Sequence, residues 1–319
     1  MEFLFKLSGE HPKLPEAELK AVLEGEKRRW RVLGRDSVRR LVLFEVEGSG
    51  SFASRLALTQ SVVEVVSIGR KLEEIAREVY PRMRKARSFR VRCESNTIER
   101  SLGALLHERG LNVELSNPDK TVSVFRFKDK LAAGFEMESV KNFPERHPLK
   151  RPFFHPTSMR PKLARVLVNL ACVGKGQKML DPFCGAGGIL LEAGMVGLKA
   201  FGWDIDGRTL EGCGKNLRHF GVKAFLEKAN ALERHKILVD AVVTDPPYGK
   251  SSSTMALSPR KLYNKFVENI TGNLKEDGRL VIVLPEEYKI KSRELSLEDR
   301  FSIRVHKSLT RVIWVFKKV

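Results

Sequence analysis

The chain is poor in cysteine: four residues in 319, at Cys93, Cys172, Cys184 and Cys213. They form no C-x-x-C pair and no Cys/His ligand spacing. This excludes a disulfide-stapled scaffold, offers no structural zinc site, and leads us to expect free thiols in a reducing compartment. Long apolar runs are also missing. None approaches the roughly 20 residues that cross a bilayer, and Met1 to Lys6 lacks a basic stretch followed by an apolar core. A soluble, cytoplasmic protein is the expectation. There is no internal repeat and no low-complexity segment. Acidic residues are scarce as well: 39 Asp and Glu stand against 58 Lys and Arg, a net charge of +19. The deficit is not confined to a tail, since residues 1–150 carry 29 basic and 22 acidic side chains and residues 151–319 carry 29 and 17. Such an excess suits a polyanion, with nucleic acid ahead of a membrane surface. A protein that is merely basic, from a salty or hot habitat, is the plainer alternative.

What is present divides in two. In the first half, short strands (3–7, 41–46, 62–68) alternate with helical stretches (15–23, 51–58, 72–80), which predicts a small α+β unit. Residues 82–92 then place Arg82, Arg84, Lys85, Arg87, Arg90 and Arg92 in eleven positions without an acid. Phe89, Val91 and Cys93 alternate with Arg90 and Arg92, so the reading is a strand with one basic face. A solvated charge run is the bland account; interleaved aromatics and the overall charge favour a phosphate-binding face. A helix over 98–109 and strands over 122–127 and 131–137 follow. Residues 138–161 hold five prolines and five basic residues, Lys141 among them, and predict an extended connector containing the domain boundary.

Beyond it, strands at 178–180, 199–203, 224–226, 241–244 and 280–284 alternate with helices at 162–172, 189–196, 208–220 and 262–274. Strands at 301–305 and 312–316 close the pattern. This is an open, doubly wound α/β sheet with a C-terminal antiparallel hairpin. Ligands on such sheets bind at the carboxyl ends of the strands, and four strand ends carry chemistry. The first opens Asp181-Pro182-Phe183-Cys184-Gly185-Ala186-Gly187-Gly188, whose small residues admit a ligand close to the backbone and whose helix presents its N-terminus. The second carries Asp204 and Asp206, where an acid can take both ribose hydroxyls; for Asp206 a plain helix N-cap is the competing reading. The third carries Asn230 and Ala231, within reach of an adenine amine. The fourth is Asp245-Pro246-Pro247-Tyr248. Its prolines have no N–H and restrict the backbone, so carbonyls and the Asp245 carboxylate are left to accept the hydrogens of a planar amine stacked on Tyr248. A nicotinamide enzyme would leave this tetrad unexplained and would favour G-x-G-x-x-G.

These motifs resemble those of the class I S-adenosylmethionine-dependent methyltransferases. More closely, the chain is similar to the archaeal tRNA guanine-10 N2-methyltransferases, through Ser8 to Pro12, Arg151 to Pro156, Pro161 to Arg165, Leu180 to Gly185 and Asp245 to Gly249. The resemblance implies a Rossmann-like methyltransferase domain over 162–319, a basic Pro-rich linker over 146–161, a THUMP RNA-binding domain over 51–145 and a ferredoxin-like unit over 1–50. It implies S-adenosylmethionine as cofactor, bound by Asp181, Pro182, Phe183, Cys184, Gly185, Gly187, Asp204, Asp206, Asn230 and Ala231, with His155 and Thr157 from the segment before the domain. It also allows a small zinc-binding activator subunit. Two departures are Ala186, where Thr or Ser is expected, and Asn230, where Asp is commoner. The tetrad alone does not decide between guanine N2 in tRNA and other planar amines, such as DNA adenine or cytosine, an rRNA guanine or a protein glutamine. A non-catalytic RNA-binding protein is the reading from a different class.

Overall fold

A computed structural model describes residues 1–138, 142–247, 258–306 and 309–319. It contains two compact units. One comprises Met1–Glu10, Arg28–Ser54 and Leu58–Val140; the other comprises His11–Lys27, Arg55–Ala57 and Lys141–Val319.

The first unit is built on one eight-stranded sheet. Its strands are β1 (Glu2–Leu7), β2 (Trp30–Asp36), β3 (Leu41–Val46), β4 (Thr59–Gly69), β5 (Ser88–Cys93), β6 (Asn112–Val113), β7 (Lys120–Phe127) and β8 (Lys130–Glu136). They lie in the order β2-β3-β1-β4-β8-β7-β5-β6. The edge strands β2 and β6 have no counterpart in the sequence reading. On β2 half-buried residues alternate with exposed ones as far as Arg35, so the apolar signal of a covered strand is absent. The helical stretch expected over 51–58 is a 3-10 turn over Gly50–Arg55, with Phe52 fully buried. On β5, Phe89 and Val91 face a core shared with Ile75, Val79, Leu102 and Leu106 of helices α2 (Leu72–Val79) and α3 (Asn96–His107). Each such side chain contributes roughly 1.5–3 kcal/mol of burial.

The second unit carries the doubly wound sheet. Strands β9 (Lys178–Asp181), β10 (Lys199–Asp204), β11 (Ala224–Lys228), β12 (Val239–Thr244) and β13 (Leu274–Pro285) are parallel; β15 (Leu309–Lys318) is antiparallel to both β13 and β14 (Leu295–His306). The order is β11-β10-β9-β12-β13-β15-β14. The chain moves outward from β9 to β11 and returns to β12, so the switch point lies between β9 and β12. Helices α5 (Gly188–Met195) and α6 (Gly207–His219) cover one face, where a Cβ on Gly202 would meet Leu190 and Leu226. Helix α7 (containing residues up to Ile270 from Pro259) covers the other with Leu262, Phe266 and Val267 against Leu180, Val242 and Ile282. Between β11 and β12 a loop takes the place of a helix. Asn269 Nδ2 holds its Leu232 carbonyl at 2.6 Å, and Asn273 Nδ2 holds those of His235 and Ile237 at 2.8 Å.

Three expectations are corrected. The helix expected over 262–274 stops at Ile270, and Leu274 opens β13 opposite Val239. Leu262, Phe266, Ile270 and Leu274 continue a four-residue spacing, which imitates a helix although Leu274 is a fully buried strand residue. The connector is not extended throughout: 143–146 and 148–150 are 3-10 turns, and Arg146 is buried in a two-pronged pair with Glu192 at 2.7 and 3.2 Å. Arg165 of α4 (Pro161–Leu170) holds the same fully buried Glu192 at 2.8 Å. Finally, helix α1 (Leu14–Gly25), early in the chain, packs on α4 as part of the second unit. Its buried Glu18 accepts from Ala57 N at 2.9 Å and from Asn169 Nδ2 at 2.7 Å.

Candidate active site

Asp181 ends β9 and Thr244 ends β12, one on each side of the switch point. Thr244 Oγ1 donates to Asp181 Oδ1 at 2.8 Å, and the Phe183 N–H donates to the same oxygen at 3.2 Å. Asp181 is almost wholly buried. Burial pushes its carboxyl up to about 7; the Thr244 and Phe183 hydrogen bonds oppose that shift, and the Asp245 and Asp204 charges add to it. The Thr244 bond ties the ends of β9 and β12 together across the switch point.

The turn that follows is shaped for close approach. Gly185 has φ +49° and nothing within 4 Å of where a side chain would stand. Gly187 has φ +82°, and a Cβ there would lie 2.6 Å from Cys213 Sγ, so both conformation and packing demand glycine. Cys184 is buried, and its N–H binds the Trp203 carbonyl at 2.9 Å. Pro182 is buried, and Phe183 packs edge-on against Phe266 of α7. Asp204 at the end of β10 accepts from Gly185 N through Oδ2 at 3.0 Å and from Asp206 N through Oδ1 at 2.9 Å. Each oxygen keeps a second lone pair for a ligand hydroxyl.

The remaining cofactor candidates divide. Asp206 is exposed and is the N-cap of α6, accepting from Arg208 N and the Thr209 hydroxyl at 2.9 Å each. Asn230 is committed locally: its Oδ1 accepts from Leu232 N at 3.0 Å and its Nδ2 donates to Glu233 at 2.9 Å. Ala231 beside it is buried. His155 and Thr157 bind each other at 2.9 Å on the surface before α4. The segment ahead of them is fastened to the Gly-rich turn by Asn216 of α6, which bonds both backbone groups of Phe153 and the Ala186 carbonyl.

At the fourth strand end Asp245 is half-buried, and Arg311 Nη1 of β15 lies 3.3 Å from its Oδ2. Its other oxygen is buried without a hydrogen-bond partner among the described residues. Burial pushes this carboxyl up to about 7 against the pull of Arg311. Pro246 is buried. The Pro247 carbonyl accepts from the Tyr263 hydroxyl of α7 at 3.0 Å. Tyr248 and Gly249 lie outside the described residues.

Sequence reasoning did not reach three groups here. Tyr263 and Arg311 have no local signature, because one comes from a helix and the other from the closing hairpin. Arg151 was visible within a motif but without a role. It is 5% exposed, its Nε donates to the Arg146 carbonyl at 3.0 Å, and its two terminal nitrogens have no hydrogen-bond partner among the described residues. They lie beside Gly188, the first residue of α5: Nη1 is 3.3 Å from where a Cβ of that glycine would stand. An unpaired guanidinium at a helix N-terminus is suited to a carboxylate. Among the described residues no group of three or more His, Cys, Asp or Glu is placed to hold a metal ion.

In the first unit the six basic residues are unequal. Arg84, Lys85, Arg87 and Arg92 are exposed. Arg82 pairs with Glu64 at 3.2 Å, and Arg90 is tied to Thr121 Oγ1 at 3.1 Å and to the Leu115 carbonyl at 3.0 Å.

Residues 148–313 match the family model of an RMKL-like methyltransferase domain. The chain is 38% identical to the tRNA (guanine(10)-N2)-dimethyltransferase of Methanothermobacter thermautotrophicus, with 100% of both chains covered. It is 32% identical to the enzyme of that name from Pyrococcus abyssi, over 99% of each. Among solved structures, TrmN from Thermus thermophilus superposes over 100% of both chains with a TM-score of 0.56 at 22% identity, a likeness of fold. With that identity sustained over its full length, the chain belongs to the family of the tRNA (guanine(10)-N2)-dimethyltransferases, built on an S-adenosylmethionine-dependent methyltransferase domain.

Proposed function

We propose that the protein transfers methyl groups from S-adenosylmethionine to the exocyclic N2 of a guanine in tRNA, at position 10, once or twice per nucleotide. The observation that carries this is Asp245. At the switch-point edge of the sheet it is held through one oxygen and offers the other, buried and without a partner among the described residues, to a hydrogen donor.

The residues present fit the cofactor. Arg151 is an orphaned buried cation for the amino-acid carboxylate, and the open space at Gly185 admits the ligand to the backbone. Asp204 has lone pairs left for ribose hydroxyls. The Asn230–Ala231 corner lies where the adenine would sit; there the side chain of Asn230 orders the loop, so backbone groups of that corner are the better candidates for the base. Asp206 acts as the cap of α6. The cofactor supplies an electrophilic methyl on a sulfonium.

Everything else falls to the chain. Asp245 Oδ1 and the Pro246 carbonyl accept the two N2 hydrogens, which favours a pyramidal nitrogen and frees its lone pair. Tyr248, by its place in the motif, stacks on the base. Tyr263 fixes the Pro247 carbonyl and with it the turn. As N2 bonds to the methyl carbon, the carbon–sulfur bond would break and leave a neutral thioether; positive charge develops on N2 beside the carboxylate, and Asp245 takes the proton that N2 releases. Positioning and this charge complementarity supply the acceleration. The base leaves its stack to reach the crevice. Residues 51–145, the THUMP module of the resemblance, fall mostly in the first unit and dock tRNA through phosphate contacts.

A tRNA substrate goes with a cytoplasmic location, and no helix among the described residues is long and apolar enough to cross a membrane. The edge strand β11 exposes Phe225, stacked on Phe201 at 4.9 Å. Such an edge accepts an added strand, and a small zinc-binding activator subunit is the partner we propose for it. The test of the activity is mass spectrometry of nucleosides from tRNA incubated with the enzyme and labelled cofactor. Label in N2-methylguanosine and N2,N2-dimethylguanosine is expected; label only in another nucleoside would overturn the assignment.

A further inference from the structure

The closing hairpin has a consequence for Asp245. In a parallel sheet every strand begins at the edge opposite the ligand. β15 runs the other way, with Arg311 near its start and opposite Pro285, the last residue of β13. The reversal therefore delivers a strand's first residues to the carboxyl edge. From there Arg311 reaches past the end of β13 to Asp245, at the end of β12. The contact is single-pronged, with Nη1 to Oδ2 at 3.3 Å, and both side chains are largely withdrawn from water, at 20% and 15% exposure. On the opposite oxygen there is no hydrogen bond among the described residues.

We propose that Arg311 is a positioning residue for methyl transfer: it anchors Oδ2 of Asp245, fixes the plane of the carboxylate, and so directs Oδ1 at the acceptor amine. This rests on the assignment of Asp245 as the amine acceptor. A carboxylate held at neither oxygen turns freely about its last bond, and an amine would then meet a distribution of lone-pair directions. A carboxylate held at both would have less to give. Holding one oxygen resolves both difficulties.

The pair also sets the charge state. Among the described residues, the titratable groups bearing on Asp245 are Arg311 from β15, Asp181 from β9 and Tyr263 from α7. Glu287, beyond the end of β13, bears on Tyr263. Burial favours the protonated acid, which is a weaker acceptor for the amine N–H than the carboxylate and is no longer a base for the proton that N2 releases. Arg311 is the cation that opposes this. Without it the carboxyl moves further up, and the ionised, active form is reached only at higher pH.

The experiment is single-turnover methyl transfer to tRNA between pH 5.5 and 9.5 by wild type, Arg311→Met, Arg311→Lys and Asp245→Asn. S-adenosylhomocysteine and tRNA affinities are measured alongside by calorimetry and filter binding. For Arg311→Met the expected result is a rate lower by about tenfold or more at pH 7, with both affinities within about twofold of wild type. Its acid limb should move up by about one pH unit or more, so that activity recovers toward pH 9. Arg311→Lys keeps the charge and should retain a limb near that of wild type with a smaller loss of rate; it carries the test if the methionine variant does not fold. Equal loss at every pH would mean a structural role, and selective loss of tRNA affinity a phosphate contact; either overturns the proposal. Full activity in Asp245→Asn would instead remove the reading beneath it. Inactive Asp245→Asn beside unaffected Arg311→Met would remove this proposal alone.

Discussion

The two units place their functional side chains in opposite physical states. In the second unit the candidates at the switch point are at least partly withdrawn from water and held: Asp181 by Thr244 and Phe183, Asp204 by Gly185 and Asp206, Asp245 by Arg311, and Pro247 by Tyr263. In the first unit five of the six basic candidates are exposed, and the two that are tied, Arg82 and Arg90, are tied to protein. The difference follows from the task. Bond-making needs atoms placed to a fraction of an ångström in a site of low dielectric. A phosphate backbone is satisfied by mobile cations whose contribution is summed over many contacts. One unit should therefore respond to single substitutions steeply and the other gradually.

The steepest response belongs to Asp245. Asp245→Ala should lower single-turnover methyl transfer on the order of 10²–10⁴-fold while S-adenosylhomocysteine still binds, as read by calorimetry. Comparable activity would break the contrast at its strongest point. Asp204→Ala comes next. A hydrogen bond to a charged group contributes about 1.5–3 kcal/mol, so cofactor affinity should fall about 10–100-fold, with a further loss because Gly185 N is left without its acceptor. Asn230→Ala is its control. If that variant weakened the cofactor as much as Asp204→Ala, its side chain would be a direct ligand and not a loop brace. A smaller effect is expected for Tyr263→Phe, which removes one neutral hydrogen bond from the Pro247 carbonyl. The rate should fall about 3–10-fold with cofactor affinity unchanged, and an equal loss of cofactor binding would show that the tyrosine supports the whole crevice.

How much of this could be read from the chain depended on whether the signal was local. The sheet of the second unit was legible because its strands are short apolar runs separated by helices of clear period, and its four loaded strand ends are each a few consecutive residues. Asp245 and Asp204 could be found in that way. Arg311 could not, since its relation to Asp245 spans 66 positions and exists only because β15 folds back beside β13. The edge strand β2 escaped for the converse reason: as far as Arg35 its side chains are at most half-buried, so no apolar run is written into it. The end of α7 was misplaced because Leu274 satisfies the spacing of a helix while serving a strand. Nor could the sequence show that α1 belongs with α4. The device that places it there is a buried Glu18–Asn169 hydrogen bond across 151 positions.

The gentlest response is expected on the basic strand, where it also discriminates best. Arg90 and Arg92 lie two positions apart on the same face of β5, and charge counting treats them alike. The structure does not. Arg92 is exposed, whereas the Arg90 guanidinium already donates to Thr121 and Leu115. A cation that binds phosphate releases counterions, so its removal lowers the steepness with which log affinity falls with log salt by about 0.7–0.9. Arg92→Ala should weaken tRNA binding about two- to fivefold near 0.15 M salt and reduce that slope by about this amount. Arg90→Ala should leave the slope nearly unchanged and cost stability instead, about 0.5–1.5 kcal/mol for the hydrogen bonds it gives up, visible as a lower melting temperature with tRNA affinity little affected. Filter binding across a salt series together with thermal unfolding separates the two. Equal slopes for both variants would mean that Arg90 exchanges its protein partners for phosphate on binding. The distinction between held and free side chains would then describe only the unbound protein.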